Sequence, residues 1–163
     1  MKKIQITKKG FSLVEVLVSL TVLSIGIVTI TMLMTVNIKT STVAKNQVVA
    51  AELAQEGIEL VRNVRDNGSA AFVAKADGDY LIDYTTNLTS LGSSNGRLFL
   101  KDGFYSHTST SAVATKFYRK ITLSVSGSNK VVNSMVNWDP AGVFPSPCNL
   151  GNKCISTVSY MPN

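Results

Sequence analysis

From Val16 to Ile38 the chain carries no charged residue, and between Phe11 and Ile38 the only charge is Glu15. As an α-helix rising 1.5 Å per residue, the uncharged stretch spans about 35 Å, enough to cross a hydrocarbon core about 30 Å thick. It can therefore cross a membrane once. Glu15 sits awkwardly in such a segment, because a carboxylate at mid-bilayer costs roughly 2.5 to 3.5 kcal/mol on insertion scales and is rarely left without a partner.

The flanking charge sets a direction. The formal charge is +6, yet four of the sixteen Lys and Arg are Lys2, Lys3, Lys8 and Lys9, and the first ten residues hold no acid. Lysines ahead of an apolar segment keep that end in the cytoplasm and send the rest of the chain across the membrane. Without the leader, twelve basic against ten acidic residues leave a scattered +2, which says little about nucleic acid and makes it an unexpected partner without ruling it out. A chain of 163 residues accommodates one modest folded head plus an appendage, not two full domains.

Two simpler readings of the N-terminus fall short. A secretory signal peptide would end its apolar core at a small-x-small cleavage site, and here the core simply continues. A plain anchor explains the lysines and the span but gives no reason for Gly10 at the boundary or Glu15 inside.

The stretch "KKGFSLVEVLVSLTVLSIGIV" resembles the N-terminal segment of the type IV pilin and type II secretion pseudopilin superfamily: a short basic leader, Gly, Phe, then a long apolar helix with Glu at the fifth mature position. The resemblance implies cleavage by a prepilin peptidase between Gly10 and Phe11 on the cytoplasmic side, N-methylation of Phe11, and retention of the helix as the anchor. It also implies an answer for Glu15, which in this family is held to pair with the N-terminal amine of a neighbouring subunit. Such a pair neutralises two charges that apolar surroundings would otherwise isolate, and it fixes axial register. The bland alternative has Glu15 snorkelling to the interface or protonated. The partners implied are other pilin or pseudopilin subunits, the prepilin peptidase and methylase, the cytoplasmic membrane before assembly and an inner-membrane assembly platform. The expected location is a single-pass cytoplasmic-membrane protein that passes into an extracytoplasmic filament. Many major pilins have a proline in the membrane half of this helix; here Gly26 is the only weak point, which leans toward a minor pilin or pseudopilin. "AELAQEGIELVRNVRD" resembles the corresponding helix of those minor branches.

The expected fold class is α+β, with residues 1–10 as leader, 11–38 as membrane or filament-core helix, 39–66 as amphipathic helix and 67–163 as a β-rich exported head. The first proline is Pro140, so the helix continues past Ile38. Ala44, Val48, Ala51, Ala54, Ile58, Val61 and Val64 recur at steps of three or four and predict its buried face, until Asp66-Asn67-Gly68-Ser69 supplies a stop. Unbroken from Phe11 to Arg65, the helix would reach about 80 Å.

Beyond Gly68, Tyr80–Thr85, Arg97–Lys101, Lys116–Ser126 and Lys130–Trp138 read as strands, with "SGSN" as a hairpin turn and Ile155–Tyr160 as a further edge strand. "TTNLTSLGSSNG" and "YSHTSTSAVAT" read as surface loops. The head is expected to be an antiparallel sheet laid against the amphipathic helix. If it is exported, Cys148 and Cys154 favour a disulfide over two free thiols, around a loop too short to be a large receptor-binding feature.

Chemistry is sparse. No nucleophile elbow, P-loop or dinucleotide fingerprint occurs, so neither an enzyme nor a cofactor is indicated. His107 is expected to be solvent-exposed and idle. "DGD" at Asp77–Asp79 reads as a tight turn in preference to a calcium site, no full ligand set being apparent. Trp138 is expected to cover one end of the core, and Arg119 and Lys120 to lie on a solvated strand edge. The expectation is thus a filament subunit, with a tethered binding module that never polymerises as the alternative of another class.

Overall fold

The computed structural model describes Gly10, residues 12–84 and residues 86–162; the rest of the leader, and Phe11, where methylation is expected, lie outside the described residues. The chain divides into two units, a stem through Val43 and a head from Ala44. One helix, α1 (Leu13–Asn67), runs through the stem and into the head.

In the stem, large apolar side chains are exposed on every side of α1, from Leu13 through Ile38. Its hydroxyls do not disturb the helix. Ser19, Thr21, Ser24, Thr29, Thr31, Thr35, Thr40 and Thr42 each donate to a main-chain carbonyl of the preceding turn, at 2.7 to 3.0 Å. Every one of these polar groups is thereby satisfied inside the helix, as an apolar environment requires.

The head opens with the second half of α1, followed by the one-turn helix α2 (Ser69–Val73) and seven strands: β1 (Gly78–Asp83), β2 (Thr86–Ser90), β3 (Arg97–Lys101), β4 (Phe104–Ser106), β5 (Val113–Ser126), β6 (Asn129–Asn137) and β7 (Cys154–Pro162). All pairings are antiparallel. The long β5 is the spine: its first half pairs with β3 and its second half with β1, while β6 takes its other side and β7 lies beyond β6. The β5–β6 hairpin turns where "SGSN" is expected to, with Gly127 at φ 62°.

Alternation along β5 and β6 sends one face to α1. Ile121, Leu123 and Val132 meet Ile58 and Val61 of the helix, with Phe72, Ile82, Leu88 and Met161 completing that cluster. A second cluster sets Ala50, Leu53 and Ala54 against Leu98, Phe117, Val136 and Trp138, so the tryptophan does seal one end of the core. The helix face differs from the expected stripe. Ala44 and Val48 are exposed, and the buried set is Ala50, Leu53, Ala54, Gly57, Ile58 and Val61. Steps of three or four carry the stripe below the point where the sheet begins, and the true face is centred on Gly57, which such a count passes over.

Two expected loops contain strands. The β3–β4 hairpin turns on Asp102 and Gly103, both at positive φ, the signature that an Asp-Gly pair gives. Among the β2 side chains whose burial is described only Leu88 is buried, too little for an apolar pattern to register. "DGD" is a correction as well, since Gly78 and Asp79 already belong to β1.

Candidate functional site

Among the described residues, nothing in the stem covers its apolar surface. No residue of its most apolar stretch is buried, and the helix is long and apolar enough to cross a membrane. Glu15 lies in the first turn of α1, where the positive end of the helix dipole favours a carboxylate. Ser12, just ahead, stands at capping-box spacing from it, yet only its main-chain carbonyl is engaged, by the amide of Val16 at 3.2 Å. Among the described residues the Glu15 carboxylate has no partner. Gly10 is exposed and has open space where a side chain would be. The described part of the stem is thus an apolar helix with a carboxylate in its first turn that finds no partner among the described residues.

The head is pinned by two buried cations. Arg119 has no exposed surface; its guanidinium donates to the carbonyls of Leu53 at 3.1 Å and Ile82 at 2.8 Å and pairs with Glu56 at 3.2 Å. It therefore ties α1 to β1 through the sheet. Desolvation lowers its pKa, opposed by Glu56 and Asp83. Lys130 is equally buried, and its ammonium donates to the carbonyls of Phe72, Val73 and Lys75, at and just beyond the end of α2, beneath the Phe72 ring. Three carbonyls around one ammonium satisfy all three of its donors and hold α2 on the sheet. The expected solvated edge at Arg119 and Lys120 is overturned: β5 is central, Arg119 faces the helix, and Lys120 reaches Asp79 at 2.8 Å. Alternation carries the signal. Arg119 shares a face with Phe117, Ile121 and Leu123, and Lys130 with Val132 and Val136.

His107 is half-buried, contrary to expectation, with Nδ1 3.1 Å from the Arg97 carbonyl. Burial first, and then the Arg119 charge, lowers its pKa to about 4, so the ring is neutral near pH 7. The nearby Asp83 carboxylate accepts from the Ser106 hydroxyl and the His107 amide, both at 2.9 Å. The serine is thus turned to the carboxylate and the histidine to a carbonyl, which couples neither to the other as nucleophile and base. At Asp79 desolvation works against ionisation, but hydrogen bonds from Lys120 and Thr122 prevail and hold its pKa below the usual carboxylate value. Among the described residues no group of three or more His, Cys, Asp and Glu is placed to hold a metal ion.

The C-terminal loop is closed by a Cys148–Cys154 disulfide. Within it a single 3₁₀ turn, Leu150–Asn152, is capped by the Asn149 side chain, which accepts from the Asn152 amide at 3.0 Å. Lys153 at positive φ then feeds β7 and reaches back to Asp139 at 2.9 Å.

Comparison with known proteins bears on the N-terminus alone. A family model described as the prokaryotic N-terminal methylation motif matches residues 7–31. No curated protein matches the chain. No solved structure does either.

Proposed function

From an N-terminal segment of the type IV pilin and pseudopilin kind at residues 7–31, an exposed apolar stem and a helix-on-sheet head, we propose that this chain is a structural subunit of a type IV pilus or related filament, most closely a minor pilin. In this reading a prepilin peptidase cuts between Gly10 and Phe11, Phe11 is N-methylated, and the subunit waits in the cytoplasmic membrane until the assembly platform draws it into the filament. The observation that carries the reading is the matched segment continued by a stem in which eight hydroxyls between Ser19 and Thr42 turn inward onto its own main chain.

Energetics assign the parts. Lipid tails are as apolar as leucine, so exchanging bilayer for neighbouring stems yields packing rather than a large hydrophobic gain. The charges then decide the register. An unpaired carboxylate in the hydrocarbon is unfavourable by roughly 2.5 to 3.5 kcal/mol, and pairing Glu15 with the Phe11 ammonium of the next subunit relieves it at one stagger only. A Glu15→Ala variant should insert and be cleaved normally yet be depleted from purified filaments, measured by immunoblot against membrane-resident subunit. Normal incorporation would sink the pairing mechanism. A pseudopilin of a type II secretion or DNA-uptake filament is the sister reading, supported by the proline-free helix Leu13–Asn67.

A further inference from the structure

The sheet ends in three edges, and one of them is unguarded. Natural edge strands are blunted by lysine, proline, bulges or short length, because a long flat edge is a template for another strand. Here β4 has three residues, and β2 has five with a register shift against β1. By contrast β7 has nine residues, pairs with β6 in unbroken register, carries no charge, and has its only proline at its last position. Among the described residues no strand pairs with its far side. Val158 and Tyr160 are exposed along it, at 49% and 68%.

Beside this edge runs a groove of about 480 Å³ between α1 and the middle of β7, with Glu52, Glu56 and Glu59 on one wall and Thr157 and Ser159 on the other. Arg62 is the single cation lining it and is already paired with Glu59. Glu56 leans on Arg119, and Glu52 has no partner among the described residues. The groove is net acidic, while the backbone edge next to it is neutral.

We propose that the free edge of β7 docks an extended segment of another protein in which cationic and apolar residues alternate. The segment adds as an eighth strand; its main chain pairs with β7, its lysines or arginines face Glu52, Glu56 and Glu59, and its apolar side chains lie beside Val158 and Tyr160. The β7 edge of a second copy is a poor occupant, because the sequence CISTVSYMP has no cation to offer the groove. The edge and the groove both belong to the head, so docking is tested on the single chain without assembling a filament.

The test uses the full chain in uncharged detergent micelles with a blocked nine-residue peptide alternating Lys and Val, and its counterpart with Glu in place of Lys. Fluorescence anisotropy reads binding, and amide hydrogen exchange reads protection of residues 154–162. The Lys peptide should bind and slow exchange in β7, the Glu peptide should not, and E52Q/E59Q should weaken binding roughly threefold or more and flatten its salt dependence. Both substituted carboxylates are exposed, so the fold is retained, which Trp138 fluorescence checks. Equal binding of the two peptides, absence of protection in β7, or unchanged affinity in E52Q/E59Q would overturn the proposal. Cross-linking of one copy's β7 to another's would overturn it too, by making a second copy the occupant.

Discussion

Gly57 gives a case in which two rules oppose each other and the structure decides the sign. A glycine inside a helix is less favourable than alanine by about 1 kcal/mol, so Gly57→Ala read from the sequence alone should stabilise. In the fold, a Cβ at this position would lie 2.5 Å from the Ser134 hydroxyl oxygen, 3.1 Å from Ile121 Cδ1 and 3.3 Å from Arg119 Cδ. All three neighbours belong to the wall of the core, and Ser134, Ile121 and Arg119 are each fully buried. Overpacking of this kind costs about 1 to 3 kcal/mol, so the net expectation is a loss of about 1 kcal/mol. The assay is urea unfolding of the full chain in micelles, followed by the fluorescence of Trp138, the single tryptophan, which lies against Leu53 and Ala54 of the same helix. With a urea slope of about 1 to 3 kcal/mol per molar, the midpoint should fall by about 0.3 to 1 M. Ser134 supplies the internal control. Its hydroxyl is buried without a hydrogen-bond partner, so Ser134→Ala alone should be neutral or stabilising, and it removes the nearest obstacle. The double variant should therefore recover the loss, with a coupling of about 1 kcal/mol. A stabilised Gly57→Ala, or strict additivity in the double variant, would refute the close approach of α1 to β6.

Other perturbations address the buried cations and the histidine. Lys130→Met strands the carbonyls of Phe72, Val73 and Lys75, and should destabilise the head by about 3 kcal/mol and open residues 68–77 to limited proteolysis. Arg119→Lys cannot reach Leu53, Ile82 and Glu56 together, so it should behave as a loss and not as a conservative exchange, lowering the urea midpoint nearly as far as Arg119→Met does. His107 has a folded pKa of about 4 against 6.5 for a free imidazole, so between those values the unfolded chain holds more protons. Stability should therefore fall as pH drops from about 6.5 toward 4, by up to about 3 kcal/mol from this group, and His107→Gln should flatten that part of the profile. An unchanged profile would count against the buried, neutral ring.

The parts of this fold that are legible in the sequence are those where one local signal dominates. The helix from the stem to Asn67 follows from an unbroken apolar run, the absence of proline and a clear stop, and β3, β5, β6 and β7 follow from alternating apolar residues. Where the signal is distributed, it is lost. Leu88 alone does not announce β2, and the Asp102-Gly103 turn announces β4 more clearly than the three residues of the strand itself. The expected face of α1 is displaced because Gly57 reads as neutral, whereas a Cβ there would lie 2.5 Å from the Ser134 hydroxyl, which makes it a point of close approach to the sheet. Charge alone assigns Arg119 to the surface; only its alternation with Phe117, Ile121 and Leu123 places it inside. The N-terminal methylation motif, by contrast, is local by nature: Gly10, Phe11 and Glu15 are readable as a pattern within a few residues, and the pairing proposed for them would depend on neighbouring molecules and not on the fold of this one.

The most direct measurement is intact-mass and N-terminal peptide mass spectrometry on the full chain produced together with a prepilin peptidase. The expected product begins at an N-methylated Phe11, which would carry the ammonium proposed to pair with Glu15 of the next subunit. A chain that keeps its leader through Gly10 would contradict the filament role and leave a tethered head with an unexplained glutamate.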